Sequence, residues 1–175
     1  MNLSEPIFTG ISAAFVVGVL ALLTFESPYG VWLMFSFGST ALILFVFYDS
    51  EFANPKNVFF GHLISIVIGI LFNQFFGISF VTLGLSVGLC VTIMMYLKIV
   101  HPPAAANPLI ALFADVSYDF ILFPVLSGSV VLIVLAYLIN TFILGRTAST
   151  KKFNSKMQLK NSKSKRKKTK KNKVT

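Results

Sequence analysis

Charge is what this sequence has least of. Asp, Glu, Lys and Arg make up 12% of its 175 residues, about half the roughly 25% usual in soluble domains. What charge there is lies mostly at one end. Of the 15 basic residues, 13 fall between Arg146 and Lys173, leaving Lys56 and Lys98 alone in the first 145 positions. A soluble globular domain and a nucleic-acid-binding domain are both excluded by that distribution. Cysteine is nearly missing too. Cys90 has no second thiol to pair with, so neither a disulfide scaffold nor a Cys-based metal site can form. Met1–Pro6 contains Glu5 and no basic residue. It therefore lacks the positive region of a cleavable signal peptide, and the first apolar segment is expected to be retained.

What is present is apolar. Hydrophobic residues make up 55% of the chain, and mean hydropathy is +0.81. Charge-free windows cover 6–25, 27–48, 57–97, 99–114 and 120–145. A membrane helix needs about 20 mostly apolar residues, so three of these windows fit one span and 57–97 fits two. The predicted architecture is all-α, a polytopic transmembrane bundle occupying 1–145. Its spans fall at about 7–24, 30–48, 56–76, 78–98, a short 102–114 and 119–145. Residues 146–175, rich in Lys, Ser and Asn, are predicted to be a disordered tail that cannot bury a core. Phe153 is the only aromatic residue there that could stack on a base. The expected partners of the tail are therefore anionic lipid headgroups rather than nucleic acid.

Lys and Arg near the spans set orientation. If 102–114 crosses, the N-terminus, Lys56, Lys98 and the tail share the cytoplasmic side. If it dips in and returns, Lys56 and Lys98 lie outside. Six crossings gather all the basic residues on one side, and this arrangement is expected even though 102–114 spans only about 20 Å as a helix. It also divides the chain into two oppositely oriented halves of three helices. Each half has an interrupted middle segment, Gly38–Phe45 in one and Ala106–Phe113 in the other. Paired interruptions of this kind point to a transport site. Small residues recur every four positions in three helices: Asn57, Gly61, Ser65, Gly69 and Asn73; Gly84, Gly88 and Thr92; Gly10, Ala14 and Gly18. Such stripes let helices approach closely in lipid, and all three are expected to face the bundle interior. Asn57, Ser65 and Asn73 could also line a polar path.

Three motifs are more specific. They are Phe37-Gly-Ser-Thr-Ala-Leu-Ile-Leu-Phe45, then Asn54-Pro-Lys-Asn57 with Gly61-His62, then His101-Pro102-Pro103-Ala104. In order and spacing the chain resembles the HPP family of integral membrane proteins across roughly residues 10–140. The resemblance implies a small helical membrane protein, conventionally given four spans, with a transporter role. Plastid members are associated with nitrite, and most prokaryotic members have no assigned substrate. After the triplet, family members usually read Ala-Gly-Ala-Thr-Ala, whereas this chain reads Ala104-Ala105-Ala106-Asn107-Pro108. The expected location is an integral membrane, the plasma membrane in a prokaryote or the plastid envelope in a plant.

Proline in the first turn suits a helix starting at Pro102 or Pro103. Its free N–H groups would point toward His101 and offer an anion site. Gly38, Ser39 and Thr40 could supply a second set of donors. His62 lies two turns into the third helix, where an ionisable group inside a membrane faces a cavity or a partner. The candidate substrate-binding residues are therefore His101, Pro102, Pro103, Gly38, Ser39, Thr40, His62, Asn57 and Asn107, acting on a small anion such as nitrite. Two histidines, with carboxylates confined to loops, make neither a nucleophile–base set nor three metal ligands. No enzymatic activity, metal or cofactor is expected. A structural or assembly subunit is the alternative, and a homo-oligomer is compatible with either role.

Overall fold

The computed structural model describes residues 3–28 and 30–146. The expected disordered basic tail, apart from Arg146, lies outside them. Among the described residues there are six α-helices and no strand: α1 Ser4–Glu26, α2 Ser36–Val46, α3 Pro55–Phe76, α4 Phe80–Tyr96, α5 Asn107–Phe113 and α6 Ser127–Leu138. A 3₁₀ turn, Pro102–Ala106, leads into α5, and wide turns extend α6 to cover 121–143. Three of these segments, Ser4–Glu26, Pro55–Phe76 and Ile121–Ile143, are long and apolar enough to cross a membrane. The protein is a helical membrane bundle.

Local chemistry sets the helix ends. Asn54 caps α3, its side chain accepting from the Lys56 N–H at 3.0 Å, and Pro55 fills the first position. Ser79 and Thr82 form a reciprocal capping box at the start of α4, which satisfies two otherwise orphaned donors. Phe123, extended at φ −127° and ψ 118°, precedes Pro124, whose ring disfavours helical backbone in the preceding residue.

The second helix is much shorter than the 30–48 expected from sequence. Gly30 has φ +109°, and the N–H groups of Trp32 and Leu33 both donate to the Thr24 hydroxyl of α1 at 3.0 Å. These bonds hold 31–35 against the last turns of α1, so the helix begins only at Ser36. Its 11 residues rise about 16 Å, and the non-helical stretch covers the remaining height of the bundle.

The path of the chain follows from its contacts. Arg146 closes one end, here termed proximal. Its guanidinium donates to Glu5 at 2.9 Å, to Thr9 at 3.1 Å and to the Phe45 carbonyl at 2.8 Å, and it lies over the Tyr48 ring. The start of α1, the end of α2 and the end of the last helix therefore meet there. Residues 100–115 run alongside α3 from its proximal to its distal end. Asn57 donates to the Val100 carbonyl at 3.4 Å, and sixteen positions later Asn73 donates to Asp115 at 2.6 Å. Tyr118 also donates to Gln74. The chain thus does not turn back between His101 and Ala114. It passes through the bundle six times, as two three-helix halves in opposite directions.

The halves interlock through glycine. A Cβ on Gly61 would lie 2.9 Å from the His101 Cβ, and one on Gly69 would lie 2.7 Å from both the Ala111 Cβ and the Pro108 Cα. A Cβ on Gly128 of α6 would strike the Trp32 carbonyl and the Phe37 ring. The third helix of each half therefore packs through glycine on the broken middle segment of the other half. The remaining stripes do not follow the expectation. Gly10, Ala14 and Gly18 on α1, and Gly84, Gly88 and Thr92 on α4, are exposed. Among the described residues, no atom beyond the neighbouring residues and backbone of the same helix lies within 4 Å of a Cβ built at Gly10, Gly18, Gly84 or Gly88.

Candidate functional site

The two broken segments meet at a buried polar cluster. Thr40, one turn into α2, faces inward together with Ser36, four residues earlier. His62 and Ser65 project from α3, while His101 and Asn107 flank the Pro102–Ala106 turn. Thr40, His62, Ser65, His101 and Asn107 have no solvent exposure, and Ser36 is 4% exposed. The Phe37 ring meets His62 edge-on at 5.2 Å, and the two imidazoles lie 4.9 Å apart.

Hydrogen bonds link the whole set. The Thr40 hydroxyl lies 2.9 Å from His62 Nε2 and 3.0 Å from His101 Nε2, and also reaches the Ser36 carbonyl at 2.9 Å. His101 Nδ1 is 2.8 Å from the Phe52 carbonyl. Asn107 Nδ2 faces His62 Nδ1 at 3.0 Å, the His62 carbonyl at 3.2 Å and Ser65 Oγ at 2.9 Å, while its Oδ1 accepts from Ser36 at 2.8 Å. Ser65 in turn donates to the His62 carbonyl at 3.0 Å. A buried polar atom without a partner costs about 1–3 kcal/mol, and networks of this kind either saturate or destabilise the core. Here the side chains have partners. The cluster offers hydroxyl, amide and imidazole donors, and no carboxylate takes part.

Four of the nine residues singled out from sequence come together: Thr40, His62, His101 and Asn107. The other five do not. Gly38 and Ser39 are exposed, and the Ser39 hydroxyl bonds back to the Ser36 carbonyl at 2.9 Å. Asn57 is buried at the proximal end, where it ties the Glu51 and Val100 carbonyls together. Pro102 is exposed and Pro103 is buried. The triplet does not open an anion-binding helix terminus either. Prolines 102 and 103 have no N–H, that of Ala104 bonds the His101 carbonyl at 3.0 Å, and α5 is only seven residues long.

The sequence reading does not include Ser36 or the Phe52 carbonyl in the site, and it places Ser65 in the α3 stripe and its polar path rather than among the binding residues. Ser36 was legible in principle: spaced four residues from Thr40, it shares that residue's face, whereas Ser39 points elsewhere. A backbone carbonyl from a distant turn leaves no sequence signal. Outside the cluster, a groove of about 590 Å³ runs between α2 and the 106–114 segment. Phe35, Ser36, Ser39, Leu109, Ile110 and Phe113 are among its lining residues. Ser36 is the cluster member that reaches this groove.

The sequence pattern of the family described as "HPP, transmembrane region" matches residues 1–149. Two curated transmembrane proteins of Dictyostelium discoideum are similar to this chain. One is 28% identical over 157 residues, covering 83% of this chain and 55% of the relative. The other is 28% identical over 152 residues, covering 81% and 49%. The chain thus spans about half the length of the curated relatives it matches. No solved structure matches.

Proposed function

The chain belongs to the HPP transmembrane family, and from that premise we propose that it is a transporter or channel for a small anion such as nitrite. One observation carries the reading. Two interrupted segments, running in opposite directions in inverted halves, meet at a buried cluster of hydrogen-bond donors within the bundle. Inverted repeats with broken helices are the arrangement in which transporters hold substrate near the midplane. A site with Thr40, His62, His101 and Asn107 as donors, and no fixed negative charge, suits an anion better than a cation. Its tight packing suits a solute of a few atoms.

The test is nitrite uptake into proteoliposomes. The expected result is entry at least tenfold faster than into protein-free vesicles, cut by about tenfold in His101→Gln at equal folded protein. No entry above the protein-free rate would overturn the reading. It would favour a non-transporting structural or assembly subunit, for which a polar cluster with its hydrogen bonds made is a sufficient core.

Orientation is part of the same proposal. Lys56, Lys98 and Arg146 all lie at the proximal end, and the positive-inside rule makes that end cytoplasmic, with the basic tail beside anionic headgroups. In a Cys90→Ala background, a cysteine at Asp115 should react with an impermeant reagent outside intact cells and one at Asn54 should not. The reverse pattern would invert the assignment.

A further inference from the structure

The hydrogen-bond partners in the cluster set which nitrogen of each histidine carries its proton. The Phe52 carbonyl carries no hydrogen, so His101 Nδ1 must donate to it, which leaves Nε2 of the neutral ring as an acceptor. At the other end, Asn107 Nδ2 faces the His62 carbonyl and Ser65 Oγ as well as His62 Nδ1. That side of the amide is therefore the NH₂ group, His62 Nδ1 accepts, and Nε2 of His62 carries its proton. Between the two rings lies one hydroxyl with one hydrogen. It accepts from His62 Nε2 at 2.9 Å, and its single hydrogen, donated to the Ser36 carbonyl at 2.9 Å, can turn to the bare His101 Nε2 at 3.0 Å. The result is a line of groups from Asn107 through His62, Thr40 and His101 to Phe52, which becomes one continuous chain when the Thr40 hydrogen turns from the Ser36 carbonyl to His101 Nε2.

We propose that His62, Thr40 and His101 form a proton relay that couples solute movement to proton movement, a proposal that rests on the transport reading above. The balance is simple. A proton from water arriving with the solute binds His62 Nδ1 once the Asn107 amide turns away, held by its remaining acceptors. With the Thr40 hydrogen turned from the Ser36 carbonyl to His101, His62 passes its Nε2 proton to Thr40 Oγ1 and the Thr40 proton passes to His101 Nε2. His101, now protonated on both nitrogens, releases the Nδ1 proton past the Phe52 carbonyl to water at the proximal end. One proton enters and one leaves, Thr40 ends as a neutral hydroxyl, and the two imidazoles end as their opposite neutral tautomers, which rotation of the rings and the hydroxyl restores before the next proton. The exit lies at the proximal end, since Phe52 is half-buried and its neighbour Glu51 is exposed.

The elements packed around the relay leave it free of competing charge. The α2 contribution is Thr40, Ser36 and Phe37, and α3 adds Ser65. From α4 comes the buried Cys90. The 99–107 segment contributes Asn107, and the 51–53 turn contributes a carbonyl. Among the described residues, no Asp, Glu, Lys or Arg side chain hydrogen-bonds to Thr40, His62, His101 or Asn107.

The experiment records nitrite uptake and lumenal pH together in proteoliposomes at an external pH near 7.5, against protein-free vesicles. Wild type should acidify the lumen in step with nitrite entry. Thr40→Val, which keeps the shape and removes the hydroxyl, should lose about tenfold of both signals, and Thr40→Ser should keep them. Nitrite entry without acidification in wild type would overturn the relay and leave transport standing, and this outcome needs no variant to fold. Acidification that persists at the wild-type rate in folded Thr40→Val would also overturn it. Failure of nitrite to enter at all removes the transport reading and the relay with it.

Discussion

The stripe of small residues on α3 and those on α1 and α4 share one spacing and have opposite fates. On α3, Gly61 and Gly69 press against the 101–111 segment so closely that neither has room for a Cβ. On α1 and α4, the equivalent glycines face open space. The difference lies in the other members of each stripe. Asn57, Ser65 and Asn73 exchange bonds with the 100–115 segment. Thr92 spends its hydroxyl on the Gly88 carbonyl of its own helix at 2.8 Å. In lipid the hydrophobic effect does not press helices together, and packing with interhelical hydrogen bonds decides which faces meet. Four-residue spacing makes a face smooth, and polar residues with a partner across the gap determine that it is covered.

Substitutions along the stripes sharpen this contrast. The largest effect should come from Gly69→Leu. Its side chain has nowhere to go but into Pro108 and Ala111, and folded, monodisperse protein in detergent should be lost. Gly61→Ala should fold but be destabilised. A contact of 2.9 Å with the His101 Cβ forces a small shift, and overpacking of this sort costs about 1–3 kcal/mol, visible as a lower thermal midpoint. Gly88→Leu on α4 should change that midpoint least, within about 0.5 kcal/mol. Equal losses at positions 69 and 88 would contradict the division between covered and exposed stripes.

Much of the bundle was legible in the sequence because membrane spans are written in composition. Charge-free windows give long helices, and Asn54-Pro55 and Gly77 bracket α3 almost to the residue. The 30–48 helix was overextended because the bonds that keep 31–35 out of helix come from Thr24, on a different element. The site was half legible. His62, His101 and Thr40 stand out by chemistry, and Asn107 by its departure from the family pattern. Gly38 and Ser39 were grouped with Thr40 by adjacency, yet neighbours on a helix point about 100° apart, and only the Ser36–Thr40 face looks inward. The outward-facing stripes went unrecognised because periodicity defines a face without specifying its neighbour.

Thr40 and Thr92 offer the sharpest test of whether the buried cluster is the working part of the molecule. Both hydroxyls bond to the carbonyl four residues back, at 2.9 and 2.8 Å. Only Thr40 also meets the two imidazoles. Net nitrite uptake by Thr40→Val and Thr92→Val, measured side by side at equal folded protein, separates the local bond from the shared one. The expected result is at least a tenfold loss for Thr40→Val, about 1.4 kcal/mol in the barrier, with Thr92→Val at the wild-type rate. Wild-type uptake by Thr40→Val, or an equal loss in both, would contradict a role for the cluster in transport.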